Sequence, residues 1–412
     1  MKKLARNVRK ASKSLLSLKK ETKDQIFDEL IKNLDAKREL ILSKNQLDLD
    51  EAFKTDLNKA MVDRLKLTNE RIDQIIEGVK TIKDQPEIVG SFYNEFTNDL
   101  GLKVKKQRVP IGVILMIFES RPNVVIDCAA LAIKSSNAII LKGGKEAKHS
   151  NKVLGEIIKE SLVKFTNKDV VEVLASDNRE HLHDLLSLKD EIDVVIPRGG
   201  HGLINHVFEN AKMPVIAHYQ GLCHMYIDQE ADIEKAVSLV ENAKTQRPGV
   251  CNAIETLLIH ENILPKLNDQ LTKRLLAKGC EMRVDEKFDS LTKGTFIKAS
   301  DEDWSTEYLD NILSIKTVDS LDEAISHIDE YGSHHSECIV SSNEDNCAKF
   351  LQNVDASCVM VNASTRFNDG GQLGLGAELG ISTTKLHAYG PMGVEQMTTS
   401  RYVIVGEGQV RS

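Results

Sequence analysis

The sequence predicts an α/β fold in which two successive series of alternating strands and helices form two lobes. Strand and helix patterns alternate from residue 111 onward, and a second alternating series begins near residue 222. The length of 412 residues exceeds one ordinary core. Alternation of this kind indicates parallel βαβ units.

The segments before the first series have different patterns. From residue 4 to about residue 80, apolar residues recur at helical spacing with lysine and glutamate opposite them, which predicts helices. Residues 91–110 mix Phe92, Phe96 and Val104 with asparagine, glycine and lysine, which is typical of a solvated β-ribbon.

The two series are predicted element by element from their apolar runs. First-series strands are predicted at 111–118, 138–142, 170–174, 192–196 and 213–217, with helices between them that include 123–134 and a long one ending near 165. Second-series strands are predicted at 222–228, 255–260, 312–317, 336–341 and 357–361, with helices at 231–246, 262–279, 320–330 and 343–352. The tail 400–412 is predicted to contain a short strand.

Charge and hydropathy exclude two classes of protein. The formal net charge is −8, and such a surface repels phosphate backbones, so nucleic-acid binding is disfavoured. The longest apolar run, 109–118, is about half the length that spans a bilayer, and the basic N-terminus lacks the apolar core of a signal peptide. We therefore expect a soluble, cytoplasmic protein.

The cysteines favour a reducing compartment. There are seven, and no pair has C-x-x-C spacing, so neither a disulfide framework nor a zinc ribbon fits. His334, His335 and Glu337 could resemble a metal cluster, but their spacing places two of them on opposite faces of a strand. We expect no metal site.

Two glycine turns follow strands of the first series. The segment Lys142–Gly143–Gly144–Lys145 lets a backbone approach a ligand and supplies charge for a phosphate, although a plain turn with solvated lysines is the alternative. The second turn is Arg198–Gly199–Gly200, where the arginine could fork onto an anion. Two such turns favour an anionic cofactor across the strand ends, although neither matches G-x-G-x-x-G or a P-loop.

Cys251 is the candidate nucleophile. Pro248 ends the preceding helix and Gly249 frees a turn, so Cys251 falls on a loop between helix and strand, where reactive groups are commonly held. A nearby cation would favour its thiolate. The alternative, a small buried cysteine, is assigned to the other six. A cysteine protease with His218, His224 or His335 is not supported by the spacing.

Several long motifs resemble the gamma-glutamyl phosphate reductase family of the aldehyde dehydrogenase superfamily. They occur in the same order at 109–124 (VPIGVILMIFESRPNV), 138–147, 195–204, 242–258 (NAKTQRPGVCNAIETLL), 307–328, 361–383 and 390–398. The resemblance implies an aldehyde dehydrogenase-like fold: a Rossmann-like cofactor domain at 1–92 and 111–221, and an α/β catalytic domain at 222–392. A return of part of 364–392 to the cofactor domain stays open. A β-ribbon at 93–110 with 400–412 would serve oligomerisation.

The resemblance also implies roles for single residues. Cys251 matches the catalytic cysteine, and Asn123 lies where the superfamily binds the oxyanion. Lys142 matches a cofactor-binding lysine, and Glu307 lies where a glutamate contacts the nicotinamide ribose. Lys145 replaces a glutamate that accepts the ribose hydroxyls of NAD, so NADP(H) is favoured.

Two other positions depart from related sequences. Hydrolytic aldehyde dehydrogenases carry a glutamate where His218 stands, and 211–227 contains no Glu or Asp. The absence fits a reductase that has no use for an activated water. Tyr389 replaces an arginine that is usual in the family, which puts one anion contact in doubt.

The implied reaction is NADPH-dependent reduction of L-glutamate 5-phosphate to L-glutamate 5-semialdehyde through a Cys251 thioester, in proline biosynthesis. Arg198 and Arg247 are candidates for assisting the phosphate, and Arg121 and Arg366 for holding the α-carboxylate. The implied partners are a transiently associated glutamate kinase and further copies of the chain. Another aldehyde dehydrogenase acting on a small aldehyde and a non-enzymatic scaffold are the alternatives.

Overall fold

The fold is described from a computed structural model that covers residues 1–54, 59–175, 178–217, 220–292, 294 and 296–411. The chain divides into two compact units. Unit 1 comprises Met1–Ala217, Gly374–Gly380 and Met392–Ser412, and unit 2 comprises His218–Leu373 and Ile381–Pro391. Within the described ranges, no helix combines the length and apolar character that a membrane crossing requires.

Among the described residues, five α-helices and two ribbon strands come first, and from Val113 onward helices and strands mostly alternate. The helices are α1 Lys2–Ser12, α2 Lys20–Ala36, α3 Arg38–Ala52, α4 Lys59–Leu65, α5 Asn69–Asp84, α6 Asn123–Lys134, α7 Lys148–Leu162, α8 Arg179–Leu186, α9 His201–Asn210, α10 Ile233–Thr245, α11 Leu264–Ala277, α12 Glu286–Leu291, α13 Leu321–Tyr331 and α14 Glu344–Asn353. The strands are β1 Phe92–Thr97, β2 Lys103–Pro110, β3 Val113–Phe118, β4 Ala138–Lys142, β5 Val171–Leu174, β6 Val194–Arg198, β7 Cys223–Ile227, β8 Ile254–His260, β9 Glu281–Val284, β10 Ile297–Lys298, β11 Ile312–Val318, β12 Ser336–Val340, β13 Cys358–Val361, β14 Ile381–Ser382, β15 Gly390–Pro391 and β16 Thr398–Val405.

Unit 1 is built on a four-stranded parallel sheet in the order β5-β4-β3-β6. Every residue of β3 is buried, as expected for a strand whose sequence is apolar throughout. The chain runs outward from β3 to β5 and then returns to the other side of β3 as β6. The strand order therefore reverses between β3 and β6, the place where ligands bind in open α/β sheets.

One strand predicted for the first series is wrong. Residues 213–217 form a single bridge between Val195 and Val215 instead of a strand. Val195 N–H donates to the Pro214 carbonyl, and Ile216 N–H donates to the Val195 carbonyl. Pro214 has no N–H to extend this ladder.

Unit 2 is built on a seven-stranded sheet in the order β10-β9-β11-β8-β7-β12-β13. All its recorded pairings are parallel. The predicted strands match β7, β8, β11, β12 and β13, whereas β9 and β10 were missed. They have four and two residues, and β9 alternates half-buried and buried positions, so neither presents an apolar run.

A three-stranded antiparallel sheet, β1-β2-β16, forms the ribbon expected at 93–110 with the tail. This sheet belongs to unit 1. The tail strand pairs from Thr398↔Pro110 to Val405↔Lys103. It therefore begins before the predicted 400 and ends before Gly406.

Candidate active site

In unit 2, Cys251 lies half-buried on the loop between α10 and β8. Gly221 packs directly against its backbone: a Cβ atom at Gly221 would lie 2.7 Å from Cys251 Cα and nearer still to its carbonyl oxygen. Only a residue without a side chain permits this approach. Gly221 N–H in turn donates to Glu307 Oε1 at 2.9 Å, which places Glu307 beside the nucleophile loop.

The backbone on either side of the nucleophile is held by side chains that the sequence did not single out. The Cys223 thiol donates to the Cys251 carbonyl at 3.0 Å. Thr365 Oγ1 donates to the Asn252 carbonyl at 2.7 Å, and Asn252 Nδ2 donates to the Asn368 carbonyl at 3.0 Å. The glycine-rich stretch 361–383 is one of the motifs that carry the resemblance, but its Thr365 and Asn368 gave no separate signal.

Two arginines stand with Cys251. Arg366 is half-buried, and its Nε donates to Gln246 Oε1 at 2.9 Å. Burial lowers the pKa of Arg366, the Arg247 charge lowers it further, and Asp369 and Cys251 act in the opposite direction. Arg366 is therefore within electrostatic reach of both Arg247 and Cys251. Adjacent guanidinium groups repel each other, and positive charge favours a thiolate, so this arrangement suits an anionic ligand.

The other six cysteines have a different environment. For each of them burial is the main cause of a raised thiol pKa: Cys128, Cys223, Cys280, Cys338, Cys347 and Cys358. A protonated thiol is a weak nucleophile. Burial thus disfavours ionisation of these six cysteines, whereas Cys251 interacts electrostatically with Arg366.

In unit 1, Asn123 is the first residue of α6, and its Nδ2 donates to Asp127 Oδ2 at 3.0 Å. Arg198, predicted to hold an anion, has its guanidinium against Gly380: a Cβ there would lie 3.0 Å from Arg198 Cζ. Arg198 also acts electrostatically on Asp127. Arg121 is half-buried in the loop before α6, where its carbonyl accepts from Val124 N–H.

Each glycine turn holds a carboxylate that the sequence analysis missed. At the first, Glu146 Oε1 accepts from Ser120 N–H at 2.7 Å and from its hydroxyl at 2.8 Å, and a Cβ on Gly144 would lie 2.6 Å from Glu146 Oε2. At the second, Glu119 Oε2 accepts from Gly200 N–H at 2.8 Å, and a Cβ on Gly199 would lie 2.7 Å from Glu119 Cδ.

The lysines of the first turn differ in position. Lys142 Nζ donates to the Gly143 carbonyl at 2.9 Å, whereas Lys145 is exposed. A Cβ on Gly143 would lie 3.1 Å from Asn151 Cγ, so this glycine is required by internal packing. Asn151 is buried, and neither atom of its amide has a hydrogen-bond partner within the described part of the chain.

A cavity of about 940 Å³ opens at the switch point of unit 1. It lies at the carboxyl ends of β3, β5 and β6, between the segments that follow them. Its lining includes Glu119, Glu180, His181, Gly202, Leu203 and His206. Gly202 has open space where a side chain would project. Ligand pockets have about this size.

His218 and Tyr389 are two positions that depart from related sequences. His218 lies outside the described residues. The Tyr389 hydroxyl donates to Asp355 Oδ1 at 3.1 Å in unit 2. Among the described residues, no group of three or more His, Cys, Asp or Glu side chains could hold a metal ion.

Known proteins share this sequence and fold. The model of the aldehyde dehydrogenase family matches residues 1–314. The gamma-glutamyl phosphate reductase of Francisella philomiragia is 48% identical over 99% of both chains, and that of Desulfotalea psychrophila is 47% identical over 98% of this chain and 96% of its own. The chain belongs to the gamma-glutamyl phosphate reductase family. The resemblance stated from the motifs is therefore confirmed.

Solved structures agree with this membership. The crystal structure of gamma-glutamyl phosphate reductase from Thermotoga maritima has a TM-score of 0.97, 41% identity and coverage of 100% of this chain and 99% of its own. An engineered glycolyl-CoA reductase with bound NADP⁺ has a TM-score of 0.70 at 14% identity, which shows the fold alone. The aldehyde dehydrogenase-like fold is confirmed, and membership of this family implies a nicotinamide cofactor.

Proposed function

We propose that the protein reduces L-glutamate 5-phosphate to L-glutamate 5-semialdehyde with release of phosphate, using NADPH, as a step of proline biosynthesis from glutamate. Family membership supports the reaction class. The single observation that carries the acyl phosphate chemistry is the cluster of Arg247, Arg366 and Cys251 in unit 2. Arg366 interacts electrostatically with both Arg247 and the Cys251 thiol, and positive charge stabilises a phosphate leaving group.

The chemistry begins at Cys251. Its thiolate attacks the acyl carbon, a C–S bond forms, and the bond from that carbon to the phosphate oxygen breaks. Phosphate carries away the bonding electrons and is stabilised by Arg247 and Arg366. The thioester is a better electrophile than a carboxylate and remains tethered to the protein. Arg366 thereby moves from the carboxylate role expected from sequence to the phosphate, and Arg121 remains the candidate for the α-carboxylate.

The oxyanion that forms during attack requires donors. We assign one to the Cys251 backbone N–H, because the hydrogen bonds to the carbonyls of Cys251 and Asn252 fix the loop around it. The resemblance implies the Asn123 side chain as a second donor. Removing one such donor typically lowers kcat by about 100-fold or more.

The residues at the switch point fit a dinucleotide. The cavity has an appropriate size and lies where the strand order reverses. The resemblance and the glycine turns assign the cofactor contacts to other residues, which do not line this cavity: Lys142, Gly143, Gly144, Lys145, Arg198, Gly199, Gly200 and Glu307. Lys145 is exposed and is the candidate for the 2′-phosphate of NADPH. When bound, the nicotinamide supplies the hydride that reduces the thioester.

The reverse reaction tests this function. NADP⁺ reduction by glutamate 5-semialdehyde is measured with and without inorganic phosphate for the wild type, Cys251→Ala and the matched control Cys347→Ala, a half-buried cysteine on α14. We expect strict phosphate dependence, lost in Cys251→Ala and retained in the control. NADPH formation without phosphate would instead show that water completes the turnover, as in a hydrolytic aldehyde dehydrogenase.

We also propose that the chain forms a homo-oligomer through its ribbon. Within the described residues, β1 and β16 each pair only with β2, which leaves one edge of each strand for another chain. On β16, Tyr402 and Ile404 are 64% and 59% exposed. Ile404→Lys should lower the mass measured by light scattering, whereas Ser400→Lys on the same strand is the control. An unchanged mass in Ile404→Lys would show that this surface does not mediate oligomerisation.

The location and the second partner are also proposals. All seven cysteines are free thiols, which supports a cytoplasmic, reducing location. The acyl phosphate is labile, so we propose a transient association with the glutamate kinase that supplies it. Mixing the two purified proteins should shorten the lag before semialdehyde appears. A lag equal to that for free diffusion would exclude the association.

A further inference from the structure

Asn123 and Asp127 lie one turn apart on α6, with Asn123 Nδ2 donating to Asp127 Oδ2 at 3.0 Å. An asparagine amide has two N–H donors on one side and an acceptor oxygen on the other. An ionised carboxylate only accepts, so it attracts the Nδ2 side and repels Oδ1. The contact therefore fixes which way the amide faces and leaves its second N–H available.

Asp127 is itself constrained. Arg198 on β6 favours its ionised form, and Arg198 is confined because Gly380 has no side chain at that point. Burial acts the other way and is the larger effect, so the pKa of Asp127 is raised to about 6. Its other neighbours are the Cys128 thiol, whose pKa burial raises, and Gly78 on α5, which presents only backbone. Above pH 7 Asp127 is thus mainly a carboxylate.

We propose that Asp127 is a positioning residue for the reaction, which acts by fixing the orientation of the Asn123 amide. This inference rests on the proposed function, in which the Asn123 amide is a donor to the oxyanion. Arg198 then also supports the ionised form of Asp127.

A double-mutant cycle tests the inference. The kcat and KM of the phosphate-dependent reaction are measured for the wild type, Asn123→Ala, Asp127→Ala and the double variant. We expect Asp127→Ala to lower kcat by about 10-fold with little change in KM, since a freed amide still donates part of the time. In the Asn123→Ala background the same substitution should have no further effect. An equal loss in both backgrounds would show a purely structural role and overturn the inference.

Asp127→Asn provides a second test, because the pH dependence of kcat would not change if Asp127 only stabilised the fold. This variant keeps the neutral form at every pH, so its amide can either accept from Asn123 or donate to it. The ratio of wild-type to variant kcat should be near one at pH 5 and rise through about pH 6 to a plateau. A ratio that is constant from pH 5 to pH 8 would contradict the inference.

The outcomes separate this inference from the function on which it rests. If Asn123→Ala keeps the wild-type kcat, the oxyanion assignment fails. If turnover needs no phosphate, the proposed reaction fails. If phosphate is required and Asn123→Ala is impaired, but the Asp127 effect is additive, only the inference fails. Thermal unfolding of each variant establishes that the compared proteins are folded.

Discussion

Replacing Gly221 by alanine should displace the nucleophile without changing any reacting group. The new Cβ would lie 2.7 Å from Cys251 Cα and 2.8 Å from its carbonyl carbon, whereas carbon atoms ordinarily pack at about 3.5–4.0 Å. Both contacts are with backbone, so no side chain can rotate away. The Cys251 loop must therefore move by about 1 Å.

A displacement of about 1 Å at a reacting centre typically costs about 100-fold in rate. We therefore expect Gly221→Ala to lower kcat of the phosphate-dependent reaction by about that factor. The Gly221 N–H remains to donate to Glu307, so binding of the cofactor should change less than kcat. The rate of Cys251 alkylation gives an independent measure, because it reports the loop without any substrate.

Gly249→Ala is the matched control. Gly249 is on the same loop, and a Cβ there would lie 3.4 Å from the Leu309 carbonyl, an ordinary contact. We expect this variant to keep kcat within a few-fold of the wild type. If Gly221→Ala is folded and retains the wild-type kcat and alkylation rate, the reasoning from close packing to catalysis is wrong.

Three further predictions concern stability and cofactor choice. Lys244→Met removes the cation whose Nζ lies 2.7 Å from the buried Glu255 carboxylate. The free energy of unfolding, measured by urea titration, should fall by about 3–5 kcal/mol. A loss below about 1 kcal/mol would contradict a stabilising buried ion pair. Lys145→Glu should weaken NADP⁺ binding more than NAD⁺ binding in fluorescence titration, and equal losses would remove its role. Burial lowers the pKa of His327 to about 2, below its unfolded value of about 6.5. The unfolded chain then binds a proton at His327 that the folded protein does not, so the free energy of unfolding should fall by up to about 1.4 kcal/mol for each pH unit below pH 6.5. The slope of unfolding free energy against pH should be smaller in His327→Gln, and equal slopes in the two proteins would contradict this.

The fold was predictable where burial leaves a local pattern. The wholly apolar β3 was recognised from its sequence because both its faces are buried. The four residues of β9 were missed because a short strand with alternating burial resembles a loop. The strand predicted at 213–217 failed at Pro214, whose effect depends on the neighbouring strand.

The site was predictable only in part, because local sequence shows which residues can react but not which groups constrain them. Cys251 was recognisable from its loop and its motif. The carboxylates of Glu119 and Glu146 were not, because their partners Gly200 and Ser120 are 81 and 26 residues away along the chain. A glycine turn that looks ready for a phosphate thus already holds an acceptor, and a bound phosphate must share the turn with it.

Cys223 and Cys251 show how one residue type acquires opposite tasks. The Cys223 thiol can donate to the Cys251 carbonyl only while it keeps its proton. Burial raises the pKa of Cys223, and the nearby Glu337 charge raises it further, so the donor form persists. A thiolate there would lose this hydrogen bond and would place a second negative charge beside the nucleophile. The same burial that makes Cys223 unreactive therefore lets it hold the reactive cysteine in place.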